Sequence, residues 1–256
     1  MGIVNVTPDS YFEKSRSQSI DGAIAYALQL VHEGADIIDV GGESTRPQAA
    51  SISVQEELER VIPVIRALSQ AVSVPISIDT MKPEVAEKAI ENGASMINDV
   101  TGFSDERMRK IAAASRVSCC VMHMQGTPQT MQQRPYYEKG VVAELLIWFD
   151  RQTKRLIADG IEPAKIIIDP GIGFGKTDED NLALIKNVKS LQQLGFPLLY
   201  GISRKSFLRR LLNKPTEELL AATIAINAYL MLQGVEIIRV HDVMEHGDAR
   251  IVHYFC

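Results

Sequence analysis

The segment that decides the fold is IDGAIAYALQLVHEGADIIDVGGE, residues 20–43. Its first part, Ile20–Glu33, has apolar residues at helical spacing and predicts an amphipathic helix. Gly34 follows, and a glycine directly after a helix is typical of a C-cap because the left-handed backbone conformation costs glycine nothing. The apolar run Asp36–Val40 then predicts a short buried strand. The segment is therefore a helix–strand unit of the kind from which α/β proteins are built.

The same alternation of strand and helix continues through all 256 residues. The predicted strands are Gly2–Val6, Asp36–Val40, Pro75–Ile78, Ser95–Ile97, Ser118–Met122, Lys165–Ile168, Pro197–Gly201 and Glu236–Val240. The amphipathic stretches between them include Ile20–Glu33, Val54–Gln70, Pro83–Asn92, Val141–Asp159 and Glu217–Gln233. Nearly unbroken apolar strands separated by helices predict a parallel sheet that helices cover. Eight such units in about 250 residues favour a closed (β/α)8 barrel, the TIM-barrel fold, as a single domain over residues 1–256.

An open, doubly wound α/β sheet is the alternative to the barrel. Such a sheet usually has fewer strands, and its first strand often leads into a glycine-rich phosphate loop. Here the first strand is followed by Asn5-Val6-Thr7-Pro8-Asp9-Ser10, which contains no glycine. The pattern therefore favours the barrel.

The composition argues against several functional classes. Lys and Arg number 27 against 32 Asp and Glu, a net charge of −5, whereas nucleic-acid binding needs a basic surface. Three cysteines are too few for a disulfide framework in a chain of this length, which indicates a reducing compartment. No apolar run reaches the roughly 18 residues of a membrane span, and no signal peptide is recognisable. We therefore expect a cytoplasmic protein without nucleic-acid or membrane partners.

Polar side chains stand at the C-terminal end of every predicted strand. They are Asn5, Asp39, Asp79, Asn98, Asp99, His123, Asp169, Ser203, Arg204, Lys205, Arg239 and His241. Any one of these ends could simply cap the following helix, which is the alternative to a functional role. In a barrel, however, all these strand ends meet at one face, where such enzymes keep their active sites. A polar residue at all eight ends favours a shared site over capping.

The residue types at this rim indicate the chemistry of a ligand. Carboxylates and amides can bind the N–H and C=O groups of a flat heterocycle. The cationic and imidazole side chains at positions 204, 205, 239 and 241 are donors suited to phosphate oxygens or a leaving anion. The rim therefore predicts a site for a polar heterocycle and a phosphate group. The glycine-rich run 171–177 is not a Walker A loop, since Pro170 occupies the position of its first glycine.

Eight separated motifs extend this interpretation. They are GIVNVTPDS (2–10), DVGGESTRP (39–47), SIDT (77–80), INDV (97–100), MHMQGTP (122–128), DPGIGFGK (169–176), SRKS (203–206) and RVHD (239–242). Together they resemble, in order and over almost the whole chain, the dihydropteroate synthases of the pterin-binding barrel family. The resemblance implies a transferase of folate biosynthesis. It would join p-aminobenzoate to 6-hydroxymethyl-7,8-dihydropterin pyrophosphate, forming 7,8-dihydropteroate and releasing pyrophosphate.

The resemblance also implies roles for individual residues. The pterin would contact Asp39, Asp79, Asn98, Asp169 and Lys205. The pyrophosphate would contact Asn5, Thr45, Arg239 and His241, with Mg²⁺ held by Asn5 and Asp9. The p-aminobenzoate pocket would be formed by Thr45, Arg46, Pro47, Phe174 and Ser206. The catalytic residues would be Asp79, Asp169, Lys205, Arg239 and His241, and the enzyme would be a homodimer.

The implied chemistry agrees with the residue types. Mg²⁺ and the two donors Arg239 and His241 would stabilise the negative charge of the departing pyrophosphate. The carboxylates Asp79 and Asp169 would favour positive charge on the pterin methylene, which suggests a dissociative, SN1-like step. The aniline nitrogen of p-aminobenzoate is already a nucleophile, so the reaction needs no strong protein base.

Two loops are expected to close over the substrates and exclude water, namely Thr7–Ser19 and Gly41–Ser53. The first loop departs from the family pattern, because Ser10–Arg16 lacks the usual pair of glycines. The Phe-Gly insertion of sulfonamide-resistant relatives is not found near Thr45 or after Asp169. We therefore expect sensitivity to sulfonamides.

Two other functions fit parts of the sequence. A methyltransferase of the same barrel family, passing a methyl group from a folate to a corrinoid, would share the pterin-side Asp and Asn residues. It would not need the run Ser203–Ser206 or Arg239 and His241. A non-catalytic pterin-binding module would be expected to lack the phosphate-side residues, whereas Asn5, Arg239 and His241 are all present.

Overall fold

The computed structural model describes residues 1–7, 19–46 and 49–255. Its strands are β1 Gly2–Asn5, β2 Ile38–Gly41, β3 Ile76–Asp79, β4 Met96–Asp99, β5 Ser118–Met122, β6 Ile166–Asp169, β7 Leu199–Tyr200 and β8 Ile237–Ile238. Strands β1 to β6 form one parallel sheet in chain order, and β7 pairs in parallel with β8. Bridges from Ile168 to Leu198 and from Gly2 to Val240 join the two sheets. The strands therefore close into an eight-stranded barrel, and the predicted (β/α)8 fold is confirmed.

Ten α-helices lie in the described part of the chain. They are α1 Ile20–His32, α2 Val54–Ala71, α3 Pro83–Glu91, α4 Glu106–Ser115, α5 Val141–Ala158, α6 Asp178–Lys186, α7 Val188–Gln192, α8 Ser206–Leu212, α9 Leu220–Leu232 and α10 Val243–Phe255. The predicted amphipathic stretches correspond to α1, α2, α3, α5 and α9. The stretches named from the sequence do not include α4, α6, α7 or α8. Of these, α7 and α8 have only 5 and 7 residues, too few to show the 3.6-residue period. None of the described helices is both long and apolar enough to cross a membrane.

Side-chain caps fix where the helices after two site-bearing loops begin. Ser53 Oγ accepts a hydrogen bond from the Glu56 N–H at 3.1 Å and so ends the loop between β2 and α2. Thr177 and Asp180 form a reciprocal capping box that ends the loop between β6 and α6. Each such cap stabilises its helix by about 1 kcal/mol.

An apolar layer fills the barrel interior below the carboxyl ends of the strands. Its buried members are Met1, Met96, Cys120 and Leu199, with Ile37, Ile167 and Ile237 packed against them. Because side chains alternate along a strand, the residue two positions later faces the same interior. The residues two positions after Ile37, Met96, Ile167 and Ile237 are Asp39, Asn98, Asp169 and Arg239. Along these strands the interior-facing side chains therefore change from apolar to polar over two residues. The first polar side chains lie at the bottom of the site, which we call its floor.

Candidate active site

A cavity of about 570 Å³ opens at the carboxyl ends of the strands. Most of the predicted site residues line it, namely Asn5, Thr45, Arg46, Asp79, Phe174, Lys205, Ser206, Arg239 and His241. Asp39, Asn98 and Asp169 are buried and do not line the cavity. The predicted positions Asp9 and Pro47 lie outside the described residues.

Arg239 bridges two acidic residues at the floor of this cavity. Its Nε donates to Asp39 Oδ2 at 2.6 Å, and its Nη2 donates to Asp79 Oδ2 at 2.7 Å. The Asn98 amide also donates to Asp39 Oδ2, at 3.1 Å. The other carboxylate oxygens, Asp39 Oδ1 and Asp79 Oδ1, are buried and have no hydrogen-bond partner among the described residues. Unpaired buried acceptors are costly, so this floor is suited to a ligand that brings N–H donors.

Burial and the guanidinium act in opposite directions on Asp79. Burial raises the pKa of Asp79 to about 7, although Arg239 lowers it in part. For Arg239 the order is reversed, since burial alone would lower its pKa but the charges of Asp39 and Asp79 raise it on balance. Arg239 therefore stays cationic, while the charge of Asp79 changes near neutral pH.

Asp169 and Lys205 form the second charged part of the site. Asp169 Oδ1 accepts a hydrogen bond from the Gly171 N–H at 2.7 Å, and burial raises the pKa of this carboxyl to about 6. Burial, with Arg239 next in importance, lowers the pKa of Lys205 to about 8. The Lys205 ammonium lies 4.2 Å from the centroid of the Phe174 ring, a cation–π contact that holds it at the cavity wall.

His241 is oriented by the preceding strand end. Its Nδ1 lies 2.9 Å from Ser203 Oγ, and Ser203 Oγ also accepts the backbone N–H of His241 at 3.3 Å. Burial and the neighbouring Arg239 lower the pKa of His241 to about 3, so the ring is neutral at pH 7. A neutral imidazole has one donor and one acceptor nitrogen, so the tautomer in which Nδ1 accepts from the Ser203 hydroxyl carries its proton on Nε2 and can donate a hydrogen bond from there.

Two strand-end residues that the sequence places at the rim, Asp99 and His123, have other roles. Asp99 accepts hydrogen bonds from the backbone N–H groups of Thr101 and Phe103 at 2.8 and 2.9 Å and so holds the turn after β4, whereas the helix that follows, α4, is capped by Asp105. His123 is buried with its Nδ1 3.1 Å from Lys176 Nζ. Asp99 and His123 each follow an interior-facing residue directly, so alternation turns them outward.

Arg204 borders the cavity, but its guanidinium is engaged elsewhere. It donates from Nε to Asp242 Oδ2 at 2.9 Å and from Nη2 to Asp242 Oδ1 at 2.8 Å. This bidentate pair joins the residue before Lys205 to the residue after His241. Arg204 therefore braces two site residues instead of adding a cation to the rim.

Sequence reasoning missed several residues that line the cavity, namely Met131, Gln132, Arg209 and Arg210. Gln132 lies in the loop before α5, where its side-chain amide donates to Gly173 O at 2.7 Å. Arg209 and Arg210 belong to α8, which the sequence does not predict. Gln132 could have been found from the sequence because it lies four residues after the MHMQGTP motif. No sequence feature pointed to Arg209 or Arg210.

The described residues offer few oxygen donors that could together hold Mg²⁺. Within residues 1–7, 19–46 and 49–255, no group of three or more His, Cys, Asp or Glu side chains could hold a metal ion. Asn5 lines the cavity at the end of β1 and offers one amide oxygen. Mg²⁺ commonly binds through one or two protein oxygens together with substrate phosphates and waters, so the residues present fit an ion that binds together with a pyrophosphate.

The comparisons with known proteins agree with this geometry. A family model described as "Pterin binding enzyme" matches residues 1–241. The dihydropteroate synthase of Escherichia coli K12 is 45% identical over 97% of this chain and 88% of its own. A Yersinia pestis dihydropteroate synthase solved with a sulfonamide drug superposes with a TM-score of 0.96 at 40% identity, covering 99% of this chain and 92% of that one. A Xanthomonas albilineans dihydropteroate synthase solved with 4-aminobenzoic acid superposes with a TM-score of 0.92 at 40% identity, covering 99% of this chain and 91% of that one.

The chain therefore belongs to the family of pterin-binding enzymes, and its nearly full-length relatives place it among the dihydropteroate synthases of that family. These are transferases of folate synthesis, so the activity expected from the motifs is confirmed at the level of enzyme class.

Proposed function

We propose that the cavity joins p-aminobenzoate to 6-hydroxymethyl-7,8-dihydropterin pyrophosphate, with release of pyrophosphate and formation of 7,8-dihydropteroate. The observation that carries this proposal is the combination of an acidic floor with a cationic wall. Asp79 supplies the acidic floor, where Arg239 contacts it, and Lys205 supplies the cationic wall, while Asp169 is buried outside the cavity lining. The Xanthomonas albilineans relative that holds 4-aminobenzoic acid supports the choice of second substrate.

The pterin is assigned to the acidic floor. Its amino and ring N–H groups match the buried acceptors of Asp79 and Asp169, and Asp79 Oδ1 lacks a partner among the described residues. Lys205 is placed to donate to the ring carbonyl or nitrogen atoms from the side. Asp39 and Asn98 act on the pterin site from below, because the Oδ2 atom of Asp39 is shared between Asn98 and Arg239.

The pyrophosphate is assigned to the donors at the mouth of the barrel. Arg239 remains charged, His241 presents its Nε2 proton, and the hydroxyl of Thr45 lines the same cavity. Asn5, together with Asp9, would hold the Mg²⁺ ion. When bound, that ion neutralises charge on the pyrophosphate oxygens and so makes the leaving group more stable.

The p-aminobenzoate pocket is assigned to the outer part of the cavity. Thr45 and Arg46 come from the loop after β2, and Phe174 and Ser206 face it from the loops after β6 and β7. Pro47 is assigned to the same pocket. The Phe174 ring contacts Lys205, so it lies where the aromatic second substrate would approach the pterin methylene.

We infer an SN1-like order for the reaction. The bond between the methylene carbon and the pyrophosphate oxygen breaks first, and the electron pair leaves with the pyrophosphate. Negative charge at Asp79 and Asp169 stabilises the resulting pterin cation, while Arg239 and His241 stabilise the anion. The aniline nitrogen then forms the new C–N bond and loses a proton to solvent or to the departing anion.

Pyrophosphate release tests the proposal. The purified chain is given the dihydropterin pyrophosphate with Mg²⁺, with and without p-aminobenzoate, and pyrophosphate and dihydropteroate are both quantified. We expect dihydropteroate to form in step with pyrophosphate and only when Mg²⁺ is present. Pterin binding without either product would support a non-catalytic module, and methyl transfer from a methylated folate to a corrinoid would support the methyltransferase.

We further propose a cytoplasmic homodimer in which residues 1–256 fold as a single domain. The outward side of α9 includes the exposed residues Tyr229 and Leu232, and exposed apolar patches often mark interfaces. Light scattering after gel filtration tests the dimer. A mass near the monomer value of 28.3 kDa at micromolar concentration would contradict it.

A further inference from the structure

The loop between β2 and α2 is tied at its base to a buried ion cluster. The Lys82 ammonium lies 2.8 Å from Glu43 Oε2 and 2.5 Å from Glu57 Oε2. The Glu57 side chain is 0% exposed, that of Glu43 5% and that of Lys82 19%. The three residues come from the loop itself, from α2 and from the segment before α3. The cluster thus joins two consecutive βα units of the barrel, β2–α2 and β3–α3.

Glu43 holds both ends of the loop. While Oε2 accepts from Lys82, Oε1 accepts the backbone N–H of Ile52 at 3.0 Å. A single carboxylate therefore closes the segment from residue 43 to residue 52. Glu43 itself lines the cavity, as do Thr45 and Arg46 in the segment that it closes.

The start of the loop also lies directly on α2. Arg60 Nη1 donates to the Gly42 carbonyl at 2.8 Å. A Cβ atom at Gly42 would lie 2.7 Å from Val61 Cγ1 and 3.0 Å from Glu57 Cγ, so only glycine allows this close approach. The base of the loop is thus held by packing and by charge, and its orientation depends on where Glu43 is anchored.

Lys82 stays protonated at neutral pH because its pKa is raised. Burial lowers the pKa of Lys82, but its hydrogen bonds to Glu43 and Glu57 outweigh that effect and raise it overall. Lys82 does not line the cavity, so it has no direct part in the reaction proposed above. Its ammonium neutralises two carboxylates that would otherwise repel each other at the base of the loop.

We propose that Glu43 and Lys82 are positioning residues for the p-aminobenzoate pocket. They hold the base of the loop so that Thr45 and Arg46 face the second substrate. This inference rests on the proposed p-aminobenzoate pocket. It predicts a selective effect, because the hydrogen bonds of Glu43 go to Lys82 and to the far end of the loop at Ile52, and not to the floor where the pterin is assigned.

Glu43→Ala is the primary test, since it frees the loop but leaves Glu57 paired with Lys82. We expect the KM for p-aminobenzoate to rise about tenfold, the scale of losing a charged hydrogen bond that orders a binding loop. The KM for the pterin pyrophosphate should stay within about twofold of the wild-type value. Glu43→Gln keeps an acceptor for the Ile52 N–H and should give an intermediate KM for p-aminobenzoate.

Lys82→Met is the second test, and Lys82→Arg is its conservative rescue. Lys88→Met serves as the matched control, because Lys88 pairs with Glu91 on the exposed side of α3 and both side chains are about half exposed. We expect Lys82→Met to raise the KM for p-aminobenzoate as Glu43→Ala does, and Lys82→Arg to restore most of it. Lys88→Met should leave both KM values unchanged. Should Lys82→Met fail to fold, Glu43→Ala and Lys82→Arg still decide the outcome.

Amide hydrogen exchange provides a readout that a general loss of stability would not reproduce. In Glu43→Ala, exchange should accelerate at Ile52 and its neighbours, while the strands of the barrel keep wild-type rates. Equal rises in both KM values, or an unchanged KM for p-aminobenzoate in a folded Glu43→Ala protein, would overturn the inference.

Ser206→Ala separates failure of this inference from failure of the pocket assignment. If Ser206→Ala raises the KM for p-aminobenzoate and Glu43→Ala does not, the pocket stands and the positioning role is wrong. If neither variant changes that KM, the pocket itself is misassigned and the inference falls with it.

Discussion

Replacing Asp79 by asparagine removes charge from the acidic floor while keeping the shape of the side chain. Asp79 Oδ2 accepts from Arg239 at 2.7 Å, and an asparagine oxygen can still do so. The amide nitrogen, however, would present N–H groups where the pterin presents its own. The variant also loses the negative charge that stabilises a cationic methylene. We expect kcat/KM for the pterin pyrophosphate to fall roughly 10²- to 10³-fold, the usual scale for one electrostatic contact to developing charge.

The pH dependence of the wild-type enzyme gives the same prediction a second test. Burial raises the pKa of Asp79 to about 7 and that of Asp169 to about 6. Because kcat/KM reports ionisations of the free enzyme, it should fall as the pH drops below about 7. In the Asp79→Asn variant the fall should begin only near pH 6, where Asp169 becomes protonated.

Stability should change with pH in a related way. The pKa of Asp79 in the fold, about 7, lies above its ordinary value of 3.8. Between these values the folded state keeps a proton that the unfolded state has lost, so the free energy of unfolding falls as the pH rises. The asparagine variant lacks this fall. Relative to the wild type, it should therefore gain stability from about pH 4 to about pH 7.

Steady-state kinetics from pH 5 to pH 9 and urea unfolding at matched pH values measure these effects. Asp105→Asn is the control, because Asp105 caps α4 through a hydrogen bond to the Arg107 N–H and asparagine caps equally well. A kcat/KM within about threefold of wild type, or an unshifted pH profile, would refute the role given to the Asp79 charge.

Four further outcomes are expected. Thr177→Ala removes the cap of α6 and should cost about 1 kcal/mol, seen as a Tm lower by about 2–4 °C in calorimetry; an unchanged Tm would contradict the capping energy. Burial lowers the pKa of Lys176 to about 7, so above about pH 7 the folded wild type has lost a proton that the unfolded chain keeps, and its free energy of unfolding should rise with pH. Lys176→Met should abolish this rise, as measured by denaturant titration. A sulfonamide should inhibit the wild type in competition with p-aminobenzoate, and Phe174→Leu should raise its Ki; full turnover in its presence would exclude the predicted sensitivity. Chelation by EDTA should stop pyrophosphate release and added Mg²⁺ should restore it, whereas turnover that resists chelation would remove the proposed metal.

The barrel was predictable because its signals are local and repeated. Each strand is an apolar run, and several helices end at a glycine such as Gly34. The same period-2 alternation that defines a strand also separates interior from exterior side chains. Applied to neighbouring residues, it assigns Asn98 to the barrel interior, where its amide donates to Asp39, and Asp99 to the outward side, where it bonds the loop after β4. The two residues look alike in sequence because both are polar and both stand at the end of the same strand.

Other parts of the site carry no such local signal. Helix α8 is too short to show a period, so Arg209 and Arg210 could not be placed at the cavity. Lys82 looks like an ordinary residue before a helix beginning with Pro83. Its role as a buried partner of Glu43 and Glu57 depends on contacts 39 and 25 residues away in the chain.

The partners of Arg239 show most clearly what residue types cannot decide. Asp39 and Asp79 lie 200 and 160 residues away in sequence, and the motifs assign them to the pterin while assigning Arg239 to the pyrophosphate. In the folded chain one guanidinium contacts both carboxylates, so the two proposed subsites would share a single charged unit. Once pyrophosphate has left, Arg239 would interact only with Asp39 and Asp79, and those contacts would become stronger. At the same stage the negative charge of Asp79 would be required to stabilise the positive charge on the pterin. Arg239 must therefore balance two opposite demands within one turnover, and its distances to Asp39 and Asp79 are the geometry on which that balance depends.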